Sequence, residues 1–181
     1  MSTLKQIFSS CRQLVRSLEK IKTLLDEIYA FDDPYELSKL LDKLNRQLED
    51  TGAYVGIISK ILAAIQKLVM QNPKLSGLQT KRNTAEVLRN GLIAKNKALK
   101  EILPKLDLTI ERFLELQMES KIETDKAKKK AVQAMATSTW NNLAGEKIDS
   151  AKELVDSMVK DATNLAALEQ TILQDLRKGY G

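Results

Sequence analysis

The chain contains no histidine. That excludes every mechanism in which an imidazole of this chain serves as base, proton relay or metal ligand. It also excludes the Glu-x-x-His motifs with which helical bundles hold paired iron ions. A single cysteine, Cys11, leaves no internal disulfide and no close-spaced thiolate set for zinc. Seven glycines and three prolines in 181 residues are about half the usual share or less, too few for the turns of a sheet protein. Only seven valines and little apolar–polar alternation leave no credible strand. There is no Gly-rich phosphate loop, no nucleophile elbow and no calcium-loop pattern. The most apolar stretch, Ala53 to Met70, is interrupted by Lys60, Gln66 and Lys67, and is therefore not read as a membrane span. Charge at Lys5, Arg12 and Arg16 denies the N-terminus a signal-peptide apolar core, so the expected location is cytoplasmic.

What is present points to helices. Hydrophobic residues make up 43% and charged residues 29%, near globular averages, so the chain is expected to fold. Its 181 residues and 20.3 kDa fit one domain, read as a single helical bundle over 1–181. Leu4, Ile7, Phe8, Cys11, Leu14, Val15, Leu18, Ile21, Leu24, Leu25 and Ile28 recur at steps of three and four, one stripe of a helix that stops near Phe31. Asp33-Pro34, with Glu36 three residues after Asp33, signals the next helix start. Leu37, Leu44, Thr51, Ile58 and Ile65 stand seven apart, and so do Leu41, Leu48, Val55, Leu62 and Val69. A loop at Thr51-Gly52 would not preserve that register. The spacing predicts one helix over 34–71, ended by Asn72-Pro73, in which Gly52 costs only about 1 kcal/mol.

A third helix is expected over 76–103 on Leu78, Ala85, Leu92 and Leu99, with Pro104 breaking the chain or opening the next helix. The pattern continues through Leu106, Ile110, Phe113, Leu114, Met118 and Ile122. It thins to Ala127, Ala131, Ala134 and Met135, a small-residue seam suited to close helix approach. A turn or kink is expected between 137 and 146. The last helix runs on Ile148, Ala151, Leu154, Val155, Met158, Ala162, Leu165, Ile172 and Leu176. The predicted fold is all-α, an elongated antiparallel up-and-down bundle of four to six long helices with coiled-coil-like packing. The heptad seams are compatible with closure within one chain or between chains.

Charge is unevenly spread. Lys74, Lys81, Arg82, Arg89, Lys95, Lys97, Lys100 and Lys105 stand against only Glu86 and Glu101, in a chain whose net charge is +5. Such a surface suits an acidic partner or anionic lipid. With no aromatic residue and two arginines in the segment, it offers little to nucleic acid. The plainer alternative is internal balance. Glu111, Glu115, Glu119 and Glu123 stand four apart, and a tight turn at Pro104 would lay this acidic ladder on the basic helix. Lys126-Ala127-Lys128-Lys129-Lys130 fans out at about 100° per residue and reads as a solvated surface. Asp33 reads as a helix cap and Cys11 as a small packed hydrophobe. Trp140, the only tryptophan, either closes one end of the bundle or anchors a partner. The sequence is read as a non-catalytic protein-interaction or scaffolding bundle, open to homo-oligomerisation. Its alternative is a membrane-acting bundle using the apolar 52–70 and basic 74–105 segments. No cofactor, metal or catalytic residue is assigned.

Overall fold

The computed structural model describes residues 2–31, 33 and 36–180, with side chains described from Cys11 to Lys178 within those ranges. The described chain is helical apart from its connections, and no strand occurs among the described residues. Helix α1 covers Ser2–Tyr29, α2 Glu36–Gln71, α3 Leu78–Ile122, α4 Lys126–Ser138 and α5 Gly145–Tyr180. A 3-10 turn, Pro73–Leu75, links α2 to α3. A π-helical segment, Thr139–Ala144, joins α4 to α5. The chain runs up and down, with α1 beside α2 and α5, and α3 closing the ring against the same two helices. The all-α bundle expected from apolar periodicity is therefore the observed fold.

The predicted stripes form its core. Cys11, Leu14, Leu18, Ile21, Leu25 and Ile28 of α1 are fully buried against Leu44, Ile58, Leu62 and Ile65 of α2. The side chains of Leu4, Ile7 and Phe8 lie outside the described residues, as do Pro34 and Tyr35 of the expected cap. Asp33 accepts the Glu36 N–H through its backbone carbonyl at 3.0 Å. Helix α2 passes unbroken through Gly52, as the heptad register requires. Thr51 keeps its place in that register by pairing with Ser17 Oγ at 2.7 Å, while Gln47 Nε2 donates to the same hydroxyl at 2.7 Å. A polar knot thus crosses the α1–α2 seam with its hydroxyls satisfied.

One expectation fails on α3. Pro104 neither breaks the chain nor starts a helix; it lies inside a 45-residue rod. Its ring is on the exposed face, where water can satisfy the carbonyl that loses its N–H partner. The true reversal comes later, at Glu123-Thr124-Asp125, where the Asp125 carboxylate caps α4 by accepting the Ala127 N–H at 3.0 Å. The turn or kink expected over 137–146 is a π-helical passage, not a loop. The Gly145 N–H bonds to the Trp140 carbonyl, five residues back. Gly145 is buried there, and a Cβ would stand 3.5 Å from that carbonyl oxygen and 3.9 Å from Tyr29 Cε2.

These corrections give the molecule its outline. The bodies of α1 and α2 end at the connection between Tyr29 and Glu36. Phe31 packs there edge-on against Phe113 of α3 and Trp140, at centroid distances of 5.6 and 4.5 Å, and Phe113 meets Trp140 at 5.0 Å. Beyond this aromatic plug α3 and α4 continue as a two-helix hairpin, nine residues past Phe113 or about 14 Å by the helical rise. No residue from 121 to 135 is buried. The total accessible surface, 10763 Å², exceeds the roughly 8,800 Å² of a compact chain of this mass, in keeping with an elongated form.

Candidate functional surface

The basic residues of α3 do not act as one patch. Lys81 and Lys95 turn toward α5, where they pair with Asp175 and Asp161. Gly91 lies beside the latter contact, where a Cβ would stand 3.4 Å from Asp161 Oδ2, in ordinary contact. Arg82 pairs with Glu86 one turn on. Arg89 reaches the same carboxylate and donates to Ser59 Oγ of α2 at 3.1 Å. Lys74, Lys97, Lys100 and Lys105 remain exposed and make no ion pair among the described residues. The acidic ladder plays no part in this balance. It lies farther along α3 itself, so it cannot fold back onto the basic stretch.

Trp140 is half-buried in the aromatic plug, where its ring closes the four-helix section. That is the first of the two expected roles. The expected small-residue seam does not pack, for Ala127, Ala131, Ala134 and Met135 are all exposed, and only Ala136 of α4 is buried. Lys126, Lys128, Lys129 and Lys130 are solvated, as expected.

A different surface stands out on α2. Ala53, Gly56, Ile57, Ala63, Ala64 and Met70 are exposed, with Lys60 and Lys67 the only charges among them. Within α2, the most apolar 18-residue window is 33% buried, and the helix is long and apolar enough by length and composition to cross a membrane. The uncovered part of that window is apolar too, unlike the polar outer face of an ordinary bundle helix. On the neighbouring α3, exposed Ile93 extends the face. The 35 residues 51–85 hold five basic residues and no acidic one, so the chain's net charge resides there and the remaining 24 basic and 24 acidic residues cancel. Reading 74–105 as the charged unit missed this, because the acid-free stretch straddles the α2–α3 turn. The absence of Asp and Glu after Asp50 was visible in the sequence.

Along this face the α2–α3 seam opens into a groove of about 400 Å³ lined by Glu49, Gly52, Val55, Gly56, Ser59, Ile93, Asn96 and Lys100. The two glycines, one turn apart, supply no side chain to fill it.

One chemically unusual pair lies in the core. Glu169 of α5 is 1% exposed, and Cys11 Sγ donates to its Oε2 at 3.1 Å. Burial pushes the Glu169 carboxyl up to about 8, with the Cys11 hydrogen bond pulling the other way. Burial, then the Glu169 carboxyl, pushes the Cys11 thiol well above its ordinary range, so it is a poor nucleophile. This pair has the character of a core contact. Glu169 was legible as an anomaly: it falls on the apolar stripe between Leu165 and Ile172.

Asp107 is also raised, first by partial burial, with an Asn45 hydrogen bond opposing and Glu111 and Asp42 adding to the rise. Its Oδ1 is buried with no hydrogen-bond partner among the described residues. Comparison with family models, with curated proteins and with solved structures returns no match for this chain.

Proposed function

We propose that the protein is a non-catalytic docking bundle that settles on anionic membrane surfaces through the α2–α3 face. The carrying observation is the outer face of the apolar half of α2, where Ala53, Gly56, Ile57, Ala63, Ala64 and Met70 are exposed around Lys60 and Lys67, in a stretch, 51–85, that holds no acidic residue. Exposed Ala, Ile and Met side chains can enter the boundary between headgroups and acyl chains. Lys60 and Lys67 can lay their methylene stems along that boundary while their ammonium groups stay with lipid phosphates. Each lysine near an anionic surface contributes about 1 kcal/mol, a gain that salt screens. Repulsion from acidic side chains is absent over 51–85.

Vesicle flotation tests this reading. The chain is expected to float with phosphatidylserine-containing vesicles at low salt, to float less at high salt, and to stay behind with phosphatidylcholine alone. Ile57→Glu combined with Met70→Glu places carboxylates on the exposed face and is expected to abolish flotation while leaving helicity unchanged. Failure to float with anionic vesicles at low salt would refute membrane docking.

A further inference from the structure

We propose that the hairpin projecting beyond the aromatic plug, formed by the end of α3 and by α4, is a self-association site whose occupant is the same hairpin of a second copy of this chain. The two outward faces of the hairpin differ in charge and in side-chain size. At 100° per residue, Glu111, Glu115, Met118 and Ile122 fall within about 60° of arc on α3, opposite the buried Phe113, Leu116 and Ser120. Met118 and Ile122 are 58% and 75% exposed in the midst of these carboxylates. On α4, Ala127, Lys130, Ala131 and Ala134 share an arc of about 100° opposite buried Ala136 and Thr139, with Lys126 and Lys128 flanking it and Lys129 on the side of Ala136.

One face is acidic with large apolar knobs, the other basic with alanine hollows. They cannot meet within one chain, because each points away from the seam between the two helices. The charges remain largely unsatisfied. Glu115 pairs with Arg112 on its own helix, and Glu123 accepts the Asp125 N–H. Lys126, Lys128, Lys129 and Lys130 make no ion pair among the described residues. Because the two faces point in opposite directions, a second copy laid alongside the first covers one of them. Its alanine face receives Met118 and Ile122 and its lysines meet the glutamates. This head-to-tail contact leaves an acidic face open at one end and an alanine face at the other for further copies. A free acidic helix or an anionic vesicle would satisfy only the lysines and leave the knobs of α3 uncovered. The pairing uses none of the α2–α3 face.

Sedimentation of the full chain over a range of concentrations, at low and high salt, tests the proposal. Reversible self-association that grows with concentration is expected, weakening as salt rises. Met118→Glu with Ile122→Glu changes exposed positions only and is expected to weaken the association about tenfold or more, with circular dichroism and Tm unchanged. Two charge-reversed chains give the stricter test. One carries Lys126, Lys128, Lys129 and Lys130 changed to Glu; the other carries Glu111, Glu115 and Glu119 changed to Lys. Each alone is expected to stay monomeric, and an equimolar mixture is expected to pair. A chain that is monomeric at every concentration overturns the proposal, as does self-association that these variants leave intact. So does a monomer whose vesicle flotation is lost on reversing the four lysines, since the tip would then serve lipid instead.

Discussion

At the scale of single residues, the sharpest consequence belongs to Glu169. Its carboxyl titrates near 8 in the folded chain and near 4.3 when unfolded. Between those values the native state keeps a proton that the unfolded chain has released. Stability is therefore greatest at acid pH and falls by up to about 1.4 kcal/mol per pH unit across that window. Above pH 8 this contribution levels off, and ionisation of the unfolded Cys11 thiol continues the decline. Glu169→Gln keeps the shape and removes the charge change. Urea midpoints at pH 5, 7 and 9 are expected to slope downward in the native chain, and much less in the variant. Equal slopes in both would show that another group governs the pH response.

At the scale of elements, the rods follow from simple stripes, and two lessons come from where the stripes mislead. The heptad register over 37–69 outweighed Gly52, and α2 is continuous, because buried Leu and Ile on both sides return more than one glycine costs. The same reasoning applied to Pro104 would have joined Leu99 and Leu103 to Leu106 and Ile110, all buried on one face. The penalty of a proline depends on which face loses the hydrogen bond, and an exposed face loses least. The reversal at 123–125 was readable in Thr124-Asp125 as a cap before Lys126, but apolar spacing on both sides concealed it. The docking face was not legible from periodicity, since periodicity finds what is buried and this surface is apolar yet uncovered. Pro104→Ala restores a missing N–H in an unbroken helix and is expected to stabilise the protein by roughly 1–3 kcal/mol, read as a higher urea midpoint. A lower midpoint would mean that the ring makes a contact the helix needs.

At the scale of the whole molecule, shape is the testable property. A compact chain of this length has a radius of gyration of about 16 Å. Helix α3 alone, with 45 residues, extends about 68 Å by the helical rise. Solution scattering at low concentration is expected to give a radius of gyration clearly larger, about 22 Å, for a rod of these dimensions. A value near 16 Å would contradict the continuous α3. The two proposed surfaces also sit apart on this rod, lipid docking along α2 and α3 and self-association at the far tip. One event can therefore proceed without obstructing the other.

The position of Trp140 turns that separation into an optical measurement. The sole indole stands where the four-helix body narrows to two, touching Phe31 and Phe113. Residues 53–70 of α2 begin about 25 Å down the rod and end about 50 Å away by the helical rise. Intrinsic fluorescence thus senses the neck of the molecule and is blind to its opposite flank. Emission that shifts on mixing copies, yet holds steady when vesicles are added, would let one unlabelled chain report the two encounters independently.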